Sequence, residues 1–268
     1  MMVSHETLHY KNKSVFNTLA FIIMLAANAL AWLLPINGKK IKEVSDEYPT
    51  LFTPPSFTFY IWGLIYLSLL CFIVYQLWLA FSGKQPRLLA HVMSCLKEWF
   101  LISCVTNTTW IFAWHYELIP VTVGLILILL ATLFIIHINF GIAREPAPLP
   151  EKLFVYFPLS LYLGWVNIAT LANISTMLTY TGWAGGSGFQ VGWTVSMISL
   201  GTLISIFMVL RRNNIIHALV AVWAFYGILI KRGATGMMEQ QPIIHACIIA
   251  IGIIAIAISW QLYRKPRS

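Results

Sequence analysis

The side chains of this chain that could do chemistry are few, and most stand where chemistry across a membrane would not use them. All nine acidic residues, Glu6, Glu43, Asp46, Glu47, Glu98, Glu117, Glu145, Glu151 and Glu239, fall in polar connections or at the ends of apolar runs, and no Lys or Arg sits in the middle of one. Ion-coupled carriers normally hold an ionisable group in the membrane interior. A proton- or sodium-driven transporter built on carboxylates is therefore not expected. The seven histidines, His5, His9, His91, His115, His137, His217 and His245, read as hydrogen-bonded structural groups. His137 and His217 are the two that could instead be ligands across helices, to a haem iron for example. No metal site and no required cofactor are expected. A nucleophile elbow of the form G-x-S-x-G occurs nowhere, so hydrolase chemistry has no support. Cys71, Cys104 and Cys247 lie inside apolar runs and Cys95 at a helix approach, which fits reduced packing residues.

Aromatic and amide groups remain. In the run Asn107-Thr108-Thr109-Trp110-Ile111-Phe112-Ala113-Trp114 the two tryptophans are four apart and Asn107 is three before Trp110. A helix puts all three on one face. Further on, Trp165, Ala169 and Ala172 form one helical stripe, with Asn173 about two turns from Trp165. An amide inside a bilayer must find a partner, so Asn107, Asn167 and Asn173 should face other helices or a cavity. Two readings stay open. The amides are interhelical bridges worth roughly 1 kcal/mol each, or they line a pocket of indoles and amides suited to a flat, conjugated or sterol-like ligand.

A third aromatic stretch runs from Tyr48 to Trp62, Tyr-Pro-Thr-Leu-Phe-Thr-Pro-Pro-Ser-Phe-Thr-Phe-Tyr-Ile-Trp. Pro54 and Pro55 fix φ, remove two N–H donors and disfavour helix before them. The segment should enter the membrane extended and become helical only after Pro55, with Trp62 about two turns deep. A stiff aromatic loop over a tryptophan-bearing helix mouth suits a lid, although a helix N-terminus with ordinary interfacial aromatics would look similar.

The elements that must position these residues follow from composition. The chain is 59% apolar, 14% aromatic and only 10% charged, with a mean hydropathy of +0.78. That is the profile of an all-α integral membrane protein in a lipid bilayer. Eight spans are predicted, at residues 15–35, 57–81, 99–116, 118–141, 153–180, 189–210, 215–230 and 243–263. The first is long enough to span and is read as a retained helix, not a cleaved signal. The net charge of +8 is read as a record of orientation, not as a nucleic-acid signal. Lys and Arg number twelve on the side holding both termini and five on the other, which places the termini in the cytoplasm, at the plasma membrane. The loop carrying Phe52 to Pro55 should then face outward. Gly188, Gly192 and Ser196 form a small-residue face on the sixth span that could pack tightly on another helix.

Taken together, these pieces resemble the TspO/MBR family, the tryptophan-rich sensory proteins related to the mitochondrial translocator protein (peripheral benzodiazepine receptor). Phe52-Thr53-Pro54-Pro55 looks like the family's W-x-P-P loop, Trp62 stands where it carries a pocket tryptophan, Asn107-x-x-Trp110 looks like its N-x-x-W, and Trp165 with Ala169-Thr170 and Asn173 looks like W-x-x-x-A-T-x-x-N. Phe52 keeps the ring of the loop tryptophan and loses its N–H. The resemblance implies residues 15–180 as a five-helix bundle, after a cytoplasmic tail at 1–14 and before a three-helix extension at 181–268. It also implies a porphyrin or related hydrophobic ligand, held by Phe52, Pro54, Pro55, Trp62, Asn107, Trp110, Trp114, Trp165, Ala169 and Asn173. Family members often form homodimers and are described as transporters, sensors and regulators of tetrapyrroles. Light-dependent porphyrin degradation, reported for some bacterial members, would fall here on Trp62 and Trp165. A transporter or scaffold for an unrelated substrate is the remaining reading.

Overall fold

Among the described residues every regular element is a helix, as a chain with no water to satisfy its backbone requires. The computed structural model describes residues 2–144, 147–183 and 185–264, without the side chains of residues 2–7 and 187. Glu145, Lys265 and Arg267, which enter the acid and charge readings above, lie outside them. In chain order the helices are α1 (Met2–Leu33), α2 (Ile41–Glu47), a 3-10 turn (Ser56–Tyr60), α3 (Ile61–Ser82), α4 (Pro86–Leu96), α5 (Trp99–His115) and α6 (Ile119–Asn139). A short α7 (Leu149–Glu151) runs through a π-helical turn (Lys152–Tyr156) into α8 (Phe157–Tyr180). Then come α9 (Ser187–Arg212), α10 (Ile215–Gly233), a 3-10 turn (Met238–Gln240) and α11 (Gln241–Arg264).

Among the described residues, seven helical stretches are long and apolar enough to cross a membrane, and the count reaches eight if α4 and α5, bent by 49° at their junction, form one broken span. The third expected span is where sequence and structure differ. With 17 residues, α5 is about 25 Å long at 1.5 Å per residue, short of a hydrocarbon core of about 30 Å. The polar pair Lys97-Glu98 interrupts the run, and Lys97 takes a positive φ of 45°. The helix ahead of it, α4, buries Leu89, Val92, Met93, Cys95 and Leu96; hydropathy by length does not reveal such a short amphipathic piece.

The chain divides into two compact units, Met1–Val44 with Gly63–Leu159 and Ser45–Trp62 with Ser160–Ser268. In the first, α5 packs on α6 and α1, and α4 on α1 and α6. Buried amides tie its helices: Asn17 Nδ2 donates to Gln76 Oε1 at 3.3 Å, and Asn28 Nδ2 to Asn107 Oδ1 at 2.8 Å. In the second, α9, α10 and α11 pack pairwise. Glycines set two of its close approaches. A Cβ on Gly164 of α8 would stand 3.0 Å from the His217 carbonyl oxygen of α10, and one on Gly201 of α9 3.0 Å from the Phe225 ring. On the small-residue face of α9, a Cβ added at Gly188 or Gly192 would meet nothing within 4 Å among the described residues.

Candidate ligand-binding site

The second unit gathers the residues from Phe52 to Trp62 with those of α8. Trp62 and Trp165 meet edge to face with ring centroids 6.3 Å apart and planes at 83°. Phe59 meets Trp165 at 5.8 Å and 87°, and Trp62 meets Tyr162 at 6.1 Å and 65°. Each such pair adds about 0.5–1.5 kcal/mol beyond the area it buries, so the four rings form a stiff cluster. Helix α8 supplies two of them because Tyr162 and Trp165 are three residues apart, hence neighbours on one face. In its apolar stretch 78% of residues are buried, against 28–50% for the other single-helix spans. Trp165 itself is 2% exposed, yet its Nε1 has no hydrogen-bond partner among the described residues. Asn167 Nδ2 is likewise buried and unpartnered. A buried donor without a partner costs about 1–3 kcal/mol, a deficit that a ligand bearing an acceptor oxygen would remove.

Backbone chemistry shapes the segment that carries Phe59 and Trp62. Pro55 is extended, at φ −71° and ψ 163°, and the 3-10 turn starts at Ser56, as the proline pair predicts. Phe52 is fully buried and Pro54 is buried too. The segment is then fastened to α10. Trp223 Nε1 donates to the Thr58 carbonyl at 3.0 Å, and Lys231 Nζ to the Thr53 carbonyl at 3.1 Å. The Phe57 ring meets Trp223 edge to face at 5.7 Å. Between these bonds Gly227 leaves a notch: a Cβ there would overlap Thr58 Oγ1 and stand 3.2 Å from Pro54 Cβ.

The remaining expected residues are placed as follows. Ala169 is half-buried and Asn173 buried, both on α8 in the second unit. Asn107, Trp110 and Trp114 belong to the first unit. There Trp110 stacks on Trp114 at 5.4 Å and 18°, Trp114 Nε1 donates to the Ile41 carbonyl at 3.3 Å, and Asn107 takes the amide of Asn28. Asn107 thus follows the bridging reading, while Trp110 Nε1 stays buried without a partner. A shallow groove lies elsewhere in the second unit, where Pro49, Thr50 and Leu51 face Ser175, Trp193 and their neighbours. Ser175 is ten residues beyond Trp165, about 15 Å along the helix, so the groove is distinct from the four-ring cluster.

Sequence reasoning missed Phe59, Tyr162, Trp223, Gly227 and Lys231. The first two had a signal, since each stands three residues before a tryptophan already singled out. It also passed over His5-Glu6-Thr7-Leu8-His9, an H-E-x-x-H run at the start of α1. That spacing can seat a metal on a helix, but the side chains of His5 and Glu6 lie outside the described ones. Among the described residues no group of three His, Cys, Asp or Glu stands together to hold a metal ion.

Comparison with curated proteins and with solved structures gives no match. A family model does match, over residues 14–260, and so runs through the last three helices as well as the first five spans. That family is described as TSPO-like protein, and over this length the match means that the chain belongs to it.

Proposed function

We propose that this protein binds a planar hydrophobic small molecule within the membrane, a tetrapyrrole by class, and carries or senses it. The observation behind this reading is the unpartnered, buried Nε1 of Trp165 inside a cluster of four aromatic rings. Flat ring faces favour a conjugated macrocycle, and an acceptor on its rim, such as a propionate carboxylate, would take up the free indole N–H. The segment from Thr53 to Thr58, held on α10, acts as the lid. On this reading the protein sits in the plasma membrane as a homodimer, with both termini cytoplasmic.

The test is a protoporphyrin titration of purified protein in the dark, followed by tryptophan fluorescence. Saturable quenching in the wild type, weakened at least tenfold in Trp62→Phe and Trp165→Phe, is expected. Equal quenching in wild type and variants would refute the site. A second reading, light-dependent porphyrin degradation, draws on the direct contact of Trp62 with Trp165, an electron-rich indole pair beside a photoexcitable ligand. It requires the porphyrin absorption band to decay under illumination in air and to persist in both variants.

A further inference from the structure

Arg232 stands on the last turn of α10, a membrane-spanning helix, and is only 7% exposed. Its guanidinium offers five N–H donors and keeps its charge at any physiological pH. One hydrogen bond uses them: Nη1 donates to the amide oxygen of Gln240, at a long 3.4 Å. Nε is buried with no partner. Among the described residues no carboxylate comes within ion-pair distance, and Glu239, next to Gln240, is exposed and makes no ion pair. Buried charges are ordinarily paired, and a lone one is expensive to keep. The C-terminal carbonyls of α10 relieve part of the charge, yet the helix leaves the planar fork of the guanidinium largely unfilled.

The surroundings hold this arrangement in place. Thr235 Oγ1 donates to the Arg232 carbonyl at 2.8 Å and lies 3.3 Å from Gln240 Oε1. Gln240, 8% exposed, sends its amide nitrogen to Met237 Sδ at 3.2 Å. The groups of this turn that bond around the cation, Thr235, Met237 and Gln240, are all neutral. With 19 residues, α10 is about 28 Å long, close to the thickness of the hydrocarbon core, so its last turn would stand near the boundary with the headgroups.

We propose that Arg232 is an oxyanion site whose ligand is the phosphate of an anionic phospholipid. A phosphate matches the guanidinium fork with two parallel hydrogen bonds. This site is independent of the four-ring cluster on α8.

The experiment is thermal unfolding of delipidated full-length protein in a neutral detergent, with added phosphatidylglycerol, phosphatidylcholine or inorganic phosphate, and native mass spectrometry of the same mixtures. The expected result is a saturable rise in Tm with phosphatidylglycerol and none with phosphatidylcholine. Arg232→Gln should bind phosphatidylglycerol at least fivefold more weakly. Arg232→Lys, which keeps charge but loses the fork, should fall between; it also serves if Arg232→Gln does not fold. Lys40→Gln, at an exposed lysine, should bind as the wild type does. Stabilisation by inorganic phosphate alone, lost in Arg232→Gln, would keep the oxyanion site and replace the lipid by a soluble anion. Equal lipid preference in wild type and Arg232 variants, or none in the wild type, would overturn the proposal.

Discussion

Replacing Gly227 by alanine should open the first loop without harming the helix it lies on. Gly227 is an interior helical position with ordinary φ, so alanine favours the helix by about 0.8–1 kcal/mol. The added Cβ, however, overlaps Thr58 Oγ1 and presses Pro54 Cβ at 3.2 Å. Both neighbours belong to the loop, and one is a proline that cannot swing aside. Overpacking of this kind costs about 1–3 kcal/mol, and the cost falls on the closed loop alone. The loop-opening equilibrium should rise by about 5- to 150-fold. Hydrogen exchange reads this directly, because the Thr58 amide is held by the Pro55 carbonyl at 3.1 Å. Exchange across residues 50–60 should accelerate in Gly227→Ala while the amides of α10 stay protected. Thr58→Ala removes both Thr58 atoms that crowd the new Cβ, and Oγ1 gives up no hydrogen bond in leaving, being buried and unpartnered. The double variant should therefore return most of the protection. Unchanged exchange in Gly227→Ala, or no recovery in the double variant, would refute the notch as the loop's seat.

Three further outcomes are expected. Trp165→Phe removes an unpartnered buried N–H that costs about 1–3 kcal/mol, so its Tm should hold or rise despite the smaller ring, even as porphyrin quenching weakens; a large fall in Tm would show that the indole N–H has a structural partner. Asn28→Ala and Asn107→Ala should each destabilise by about 0.6–1.7 kcal/mol, and their sum should exceed the double variant, in unfolding titrations in detergent; strict additivity would mean the 2.8 Å amide bond contributes nothing. Lys39→Met breaks the 2.6 Å pair with Glu117, whose side chains are 35% and 27% exposed, so the loss should stay below about 1 kcal/mol and vanish in high salt.

Apolar run length made the spanning helices legible, α8 among them. Helix α4 was not legible, because Pro86–Leu96 is too short to span and mixes Arg87 and His91 with its apolar face. The glycine that needs space was hidden for a different reason. Gly188 and Gly192 form a recognisable four-residue pattern with no close neighbour among the described residues, whereas Gly227 is flanked at four residues by Trp223 and Lys231. Its need for space arises from a loop far away in sequence, and no local pattern encodes that. Trp223 and Lys231 were hidden for the same reason. The four-ring cluster was half visible: Trp62 and Trp165 stood out by type, while Phe59 and Tyr162 looked like ordinary membrane aromatics.

The fastening of the loop to α10 also sets a timetable for biosynthesis. The Thr58 carbonyl receives Trp223 across 165 residues of chain, and the Thr53 carbonyl receives Lys231 across 178. At about 5–20 residues per second, a ribosome needs roughly 10 to 35 s to supply those partners after the loop has been made. Until then the Thr53 and Thr58 carbonyls lack these two donors. Their prolines lighten the wait, since Pro54 and Pro55 have no N–H to leave unpaired. A nascent chain stalled before α10 would thus keep an open loop, a feature that membrane quality control could recognise as unfinished.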